Sequence, residues 1–531
     1  MFRSMKVFVQ LISIQFIVLF FVFTDSYAQQ QSIPLNSFYK EKFIENSGNK
    51  SIETFYPANE SQLNLTFLMR DSSLQYYEFT EWLFKKHWVN IQKPEGSVFI
   101  SPFMNMALGK ETSDPTKQRL FNNTRGIYVT GELLKKFSFS FIFAENQNRF
   151  MNYESDYFKS RGELYVGGGA YSLQNAFVPS GARTKPFKTD GFDYAYSIGS
   201  LAYQVNPKLR LELGNNQHFI GSGYRSLLLS DNSSVSPNVK VKWDFLPRWR
   251  FDVLIQKNRN LYRKPKTKAV EAPYESKFFA ATYLTFKPSE NFSISLFTSG
   301  NQLRGDSLIK HGLEWQMLVP VPLVQNDILM GDSKKFNGIT GLNLDYAFEK
   351  VRLYGQVAVD KFDKKYLFAG QLGIHLFEIF KIKNLHAQVE LNYVPERFYS
   401  DANPKLSYSN SNIPLAHPKG NNFGEGVLRL DYEWKRLYIQ SSTIAYTNIG
   451  GNDTIPFSAN SIFLNQTSTQ NSIPQTFVQT VEIGWRVNRR YNAQFFVAWK
   501  SRAYLSTHRN ENGQMFLVGF KTGITNQYFD F

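Results

Sequence analysis

From about residue 97 onward, apolar and polar side chains alternate one for one. Leu428, Leu430, Tyr432 and Trp434 interleave with Arg429, Asp431, Glu433 and Lys435. Leu342, Leu344, Tyr346 and Phe348 interleave with Asn343, Asp345 and Glu349. Leu385, Ala387, Val389, Leu391 and Tyr393 stand opposite His386, Gln388, Glu390 and Asn392. Phe137, Phe139, Phe141 and Phe143 form another stripe. Successive side chains of a strand point to opposite faces, so these segments are strands with one greasy face and one ionic face. They run about 9–12 residues, the length a tilted strand needs to cross a bilayer. They recur over more sheet than one soluble sandwich holds.

Eight short polar connections, at Lys135-Lys136, Asn206-Pro207-Lys208, Pro247-Arg248, Pro288-Ser289-Glu290, Glu349-Lys350, Lys381-Ile382-Lys383, Lys435-Arg436 and Asn488-Arg489-Arg490, join adjacent strands. The opposite ends are joined by longer segments at 145–192, 214–236, 258–277, 300–338, 395–425, 447–475 and 502–513. Short turns at one end and long loops at the other are the asymmetry of bacterial outer-membrane barrels. Eight hairpins, a strand at 97–108 and another at 514–525 predict an all-β, closed antiparallel transmembrane barrel of about 18 strands over 97–531. The closing Tyr528-Phe529-Asp530-Phe531 resembles the terminal aromatic signal read by barrel-assembly machinery.

The region before the barrel differs. Arg3 and Lys6 precede the apolar run Leu11 to Phe23, and Ser26 and Ala28 make a small-x-small exit. This predicts a signal peptide over 1–28, cleaved on export, and hence a place in the cell outer membrane. Residues 29–96 read as a small helical element, with a helix over Asp71 to Asn90, that plugs the barrel or sits below it.

Composition sharpens the picture. Without cysteine, thiolate chemistry and cysteine–metal sites are excluded. The 49 Phe and 29 Tyr suit a barrel with aromatic girdles. The formal charge of +16 attracts anionic partners: lipopolysaccharide, acidic polysaccharide or nucleic acid, among which charge does not choose. The seven histidines show no helical zinc spacing, and Gly221-Ser222-Gly223 lacks the frame of a nucleophile elbow. No enzyme, cofactor or metal is therefore expected. The inward charges, among them Arg210, Glu212, Arg250, Asp252, Asp345, Arg352, Glu390, Arg429, Asp431, Glu433, Glu482 and Arg486, are mixed in sign. Mixing favours a salt-bridged interior over a selectivity ring.

Two loop segments stand out. Leu213 to Asp231 combines glycines, Tyr224, Arg225 and the apolar triplet Leu227-Leu228-Leu229, which must be buried and so predicts a fold into the lumen. Asn412 to Glu425 mixes prolines, glycines, His417 and Asn421. Aromatic faces with amide, Arg and His donors are groups that hold sugars. His218, Tyr224, Arg225, His417 and Asn421 are the candidate polysaccharide contacts, and packing of loops in the mouth is the competing role for them.

The stretches Gly223-Tyr224-Arg225-Ser226-Leu227-Leu228-Leu229-Ser230-Asp231 and Pro414-Leu415-Ala416-His417-Pro418, followed by Gly420, Asn422, Phe423 and Glu425, resemble RemB-like gliding-motility proteins of Bacteroidota. These in turn resemble Wzi-type capsule-assembly barrels. Trp315 to Pro322 is similar to a Leu-Ile-Pro-Val-Pro segment of the group, while Lys419 replaces a Leu and Gly331-Asp332-Ser333 shortens a Gly-Ser-Pro-Asp-Asn segment. The resemblance implies a barrel of about 18 strands with a helical N-terminal element. It implies a role in gliding motility or in holding capsule or exopolysaccharide. Its partners would be outer-membrane lipid and lipopolysaccharide, anionic polysaccharide, and gliding or other envelope proteins, with no nucleic acid. The alternative is a passive porin or solute channel.

Overall fold

The computed structural model describes residues 36–58, 78–114, 116, 118–167, 170–263, 274–304, 312–318, 336–362, 364–449, 473–507 and 510–531. The segment 1–28, the first turns of the predicted 71–90 helix, Pro320 to Pro322 and Gly331 to Ser333 lie outside them.

Eighteen antiparallel strands close into a barrel. They are β1 Gly96–Glu111, β2 Arg119–Leu133, β3 Phe137–Arg149, β4 Gly191–Asn206, β5 Leu209–Asn216 and β6 Ser236–Leu246. Next come β7 Trp249–Asn260, β8 Glu275–Ser289, β9 Phe292–Leu303, β10 Phe336–Phe348, β11 Val351–Phe362 and β12 Lys365–Phe377. The circuit ends with β13 Leu385–Val394, β14 Phe423–Trp434, β15 Leu437–Thr447, β16 Gln475–Asn488, β17 Ala493–Leu505 and β18 Asn510–Thr522. Closure is made by β18 against β1, from Met515 opposite Glu111 to Lys521 opposite Asn105. Each of the eight predicted turns joins the pair expected of it. The strands run from 8 to 16 residues, so several exceed the expected 9–12.

Alternation sets the two faces. Leu108, Phe143, Phe368, Leu372, Leu391, Val497 and Val518 are exposed on the outside. Arg210, Asp252, Asp345, Arg352 and Glu390 are buried on the inside. Ion pairs match several of these charges: Arg210 with Glu212 at 2.7 Å and Arg352 with Asp345 at 2.5 Å.

The interior also carries more than ions. An apolar cluster crosses the lumen, joining Leu227, Leu228 and Leu229 to Leu254, Phe279, Phe297, Ile339, Ala358, Val427 and Val478 of the wall. A second cluster sets Phe150, Phe158 and Phe192 beside Tyr194, Tyr196 and Ile524. Several segments bring this filling into the barrel, among them the 395–422 segment with Phe398, Tyr399, Tyr408 and Leu415 and three others.

The first of these three is residues 36–58. Helix α1, Ser37–Ser47, starts at an Asn36 cap that accepts from the Phe38 amide and stops at Gly48, with φ of 52°. Phe38, Tyr39, Phe43 and Ile44 are buried, and between them Glu41 meets Arg429 at 2.5 Å. The helix has no face turned wholly to water, which explains its weak stripe in the sequence. The second is the 217–235 segment between β5 and β6, whose Phe219–Ile220 pairs with Phe55–Tyr56. The third is residues 523–531. After β18 ends, this tail turns back inside, where Asn526 accepts from the Ser37 amide at 2.8 Å and the Phe531 ring packs, tilted, with its centre 4.0 Å from that of Tyr157.

One expectation is corrected. The predicted 71–90 helix ends at Lys85 in helix α2, Glu78–Lys85, and Val89–Lys93 is a strand paired with Gly96–Ile100. Val89 and Ile91 are β-branched and favour the extended form. The terminal Phe531 does not lie on the last strand; it is folded into the lumen against helix α3, Asn152–Ser160.

The outward band can be tested at Leu372, in the middle of β12. In a bilayer-facing band, Leu372→Arg costs about 2–4 kcal/mol. Guanidinium unfolding of the vesicle-inserted protein reads this directly; a cost near zero would mean that this face meets water.

Candidate functional site

The two segments singled out in the sequence meet inside the barrel. Gly221 adopts φ of 107°, and an added Cβ would lie 2.4 Å from the Gln356 amide nitrogen. Only glycine allows this approach. The chain can then press onto the wall, and Glu390 accepts from the backbone amides of Tyr224 and Arg225 at 2.8 and 3.1 Å. The carbonyls of Leu227 and Leu228 accept from the hydroxyls of Tyr399 and Tyr408, and the Ser230 amide donates to Leu415. The 395–422 segment thus holds the 217–235 segment down.

Arg225 is at the centre and is wholly buried. Its Nε donates to Glu425 Oε1 at 3.1 Å, and its Nη2 donates to the Tyr446 hydroxyl at 2.7 Å and to Asp530 Oδ1 at 2.9 Å. Its plane lies 4.7 Å from the Tyr224 ring. Glu425 also meets His417 Nε2 at 2.7 Å and accepts from Asn392 at 2.7 Å. The Lys419 amide donates to His417 Nδ1, which makes Nδ1 the lone-pair nitrogen and Nε2 the donor to Glu425. Burial lowers the His417 pKa, with the Glu425 charge opposing it.

The five candidate contacts are therefore not gathered at an open mouth. Arg225 and His417 share one carboxylate and have no solvent-facing surface. His218 is also buried, edge-on to Phe55 at 5.8 Å, and burial pushes its pKa down to about 3. Asn421 is half-buried and donates to the Phe398 carbonyl at 2.8 Å, bracing its own loop. Tyr224 is half-buried, and its hydroxyl donates to Asp530 at 2.5 Å. Asp530 was missed by sequence reasoning, because the tail has no periodicity to mark it as part of the interior.

Tyr224 also borders a cavity of about 370 Å³ between α1, the tail and the wall from β14 round to β3. Arg149, Arg429, Arg486, Lys500 and Lys521 line it against Glu154, Glu482 and Asp530, with Tyr196, Gln440, Gln494 and Asn526 between them. Basic, amide and aromatic groups here face one space.

No protein-family profile matches the sequence, and no characterised protein sequence is significantly similar to it. The fold is shared with solved structures. Wzi of Escherichia coli, an outer-membrane protein involved in group 1 capsule assembly and a carbohydrate-binding β-barrel, superposes with a TM-score of 0.50 at 10% identity. The match covers 92% of this chain and 99% of Wzi. OccK7 of Pseudomonas aeruginosa matches at a TM-score of 0.42 and 8% identity, over 81% of this chain and 99% of that one. OprD of the same organism matches at 0.40 and 10%, over 83% and 97%.

Two outcomes follow from the buried network. Removing one partner of a buried charge cluster costs about 3–5 kcal/mol, because the other charges stay uncompensated. Arg225→Ala is therefore expected to lower the temperature at which the compact folded band is lost in electrophoresis. Arg225→Lys recovers less than half of the loss, since one ammonium cannot replace a planar fork that reaches three partners through Nε and Nη2. Acid acts through His218 and His417. Both folded pKa values lie below the unfolded value of about 6.5. The unfolded chain therefore takes up protons first, and the stability these histidines allow is complete above about pH 6.5 and falls below it. Denaturant midpoints between pH 7.5 and 4 measure this slope, which is flatter in a His218→Gln, His417→Gln double variant.

Proposed function

We propose that this protein is a non-enzymatic outer-membrane barrel that holds surface polysaccharide, capsule or exopolysaccharide, at the cell surface. The observation that carries the reading is the filled interior: several chain segments and an apolar layer occupy the space a porin would leave to water. The fold shared with Wzi supports a carbohydrate partner of this class. The net charge of +16 supports an acidic glycan, drawn in by the field and held by hydrogen bonds. Tyr224 is the candidate contact with access to the basic cavity, while Arg225 and His417 act by fixing the loop that presents it. His218 and Asn421 hold the frame. The resemblance to gliding-motility proteins of Bacteroidota gives the finer form of the proposal, in which the held polysaccharide couples the barrel to moving envelope proteins.

Passive conduction is the competing reading, because a cavity of about 370 Å³ already lies in the lumen. Planar-bilayer conductance separates the two. The intact protein is expected to be silent, and a variant with residues 223–231 replaced by a short glycine linker is expected to conduct. Binding of an acidic polysaccharide to the intact protein should fall about tenfold in Tyr224→Ala, a loss of one good aromatic contact of about 1.4 kcal/mol. Steady conductance from the intact protein would replace the attachment reading with the channel reading.

A further inference from the structure

Where α1 touches the wall, three side chains that the network around Arg225 does not use converge. They are Glu41 of α1, His386 of β13 and Asp431 of β14. His386 and Asp431 are direct register partners on adjacent strands. One ligand-capable atom from each of the three lies within 4.8 Å of the others. The cluster borders a cavity of about 40 Å³, room for an ion and a water.

The hydrogen bonds behind His386 define its tautomer. His375 Nε2 lies 2.9 Å from the Ser222 carbonyl, which can only accept, so His375 carries its proton on Nε2. In neutral His375, Nδ1 is then an acceptor. It lies 2.9 Å from His386 Nε2, which must therefore be the donor. Neutral His386 thus presents a bare Nδ1 lone pair to the cluster. That nitrogen is 3.8 Å from Asp431 Oδ2, beyond hydrogen-bond reach, on a ring more than nine-tenths buried. Asp431 Oδ2 is itself buried with no hydrogen-bond partner, although Asp431 Oδ1 accepts from Gln440 at 2.7 Å. Two lone pairs face one another with no proton assigned between them.

Arg429 pairs with Glu41 at 2.5 Å and lies 3.7 Å from Asp431, so one guanidinium faces two carboxylates. The neighbouring Lys42 meets Glu45, and Arg486 and Arg489 both meet Glu433, so the surrounding charges balance and a cation would be drawn by the unpartnered lone pairs of His386 and Asp431.

We propose that Glu41, His386 and Asp431 form a divalent transition-metal site, of the zinc class, that latches the α1 plug to the barrel wall. One imidazole nitrogen and two carboxylate oxygens suit zinc, with water from the small cavity as the fourth ligand. Ligand atoms about 2.1 Å from zinc lie about 3.4 Å apart in a tetrahedron, so the 3.8 Å between His386 and Asp431 needs only a small contraction and binding holds α1 against β13 and β14. His375 holds the His386 ring, as a hydrogen-bonded partner behind a ligating histidine commonly does. Sequence spacing did not show the site, because its ligands come from a plug and two adjacent strands.

The test uses the full chain, purified, refolded and stripped of metal, titrated with zinc chloride by calorimetry and checked by elemental analysis after dialysis. The expected result is one equivalent per barrel, with affinity at least tenfold weaker in His386→Gln and in Glu41→Gln. The Glu41 change lies on the plug and leaves the wall intact, so it remains informative if the His386 variant fails to fold. Zinc should also slow protease cleavage within residues 36–58 of the intact protein and not of Glu41→Gln. No stoichiometric binding, or binding unchanged in both variants, would overturn the proposal.

Discussion

A guanidinium taken wholly out of water needs charged and polar partners, and Arg225, bonded through Nε and Nη2 while its buried Nη1 has no hydrogen-bond partner, is the group on which the interior of this barrel depends. Its partners come from three places: Glu425 and Tyr446 from the wall, Asp530 from the tail and, through Glu425, His417 from the 395–422 segment. The cost of removing these charges from water is several kcal/mol each and is offset only if all of them are present together. The loop, the wall and the tail therefore fold as one unit. None can leave without stranding a charge in the others.

The wall was legible in the sequence because one face of each strand meets a uniform apolar surrounding, which enforces a strict period of two. Turns such as Glu349-Lys350 and Lys435-Arg436 were legible because they are short and polar between such strands. The filling was harder to read. Phe278-Phe279-Ala280-Ala281 is apolar on both faces, since the inner face there meets a core and not water. Helix α1 mixes Phe38, Phe43 and Ile44 with Lys40, Glu41 and Lys42 because wall charges reach it from several sides. Periodicity needs a solvent face, and a plug inside a barrel lacks one.

At the site, the two motifs that drew attention in the sequence come together inside the barrel, but the burial of their polar residues was not legible. Gly223, Tyr224 and Arg225 suggest an exposed binding loop as readily as a buried brace. What separates the two is Leu227-Leu228-Leu229, which follows directly and has to leave water. Its full burial forces the neighbouring Arg225 inward, where Glu425 and Tyr446 of the wall meet it. Asp530 closes that arrangement and carries no local signal, because an ion pair spanning 305 residues leaves no spacing to find.

The same arithmetic limits what the interior can do. Returning Leu227, Leu228 and Leu229 to water costs about 5–9 kcal/mol from apolar exposure alone, before Arg225 is counted. A spontaneous opening with that cost is populated less than about once in a thousand molecules at 1.4 kcal/mol per factor of ten. Thermal motion therefore leaves the lumen filled, and a rearrangement of the loop needs a partner that binds the open form far better than the closed one. On the proposed reading, a polymer that reaches Tyr224 and its cavity meets a rigid surface, with its contacts already positioned and little ordering left to oppose binding. The filling of the lumen and the stiffness of the barrel follow from the same buried residues.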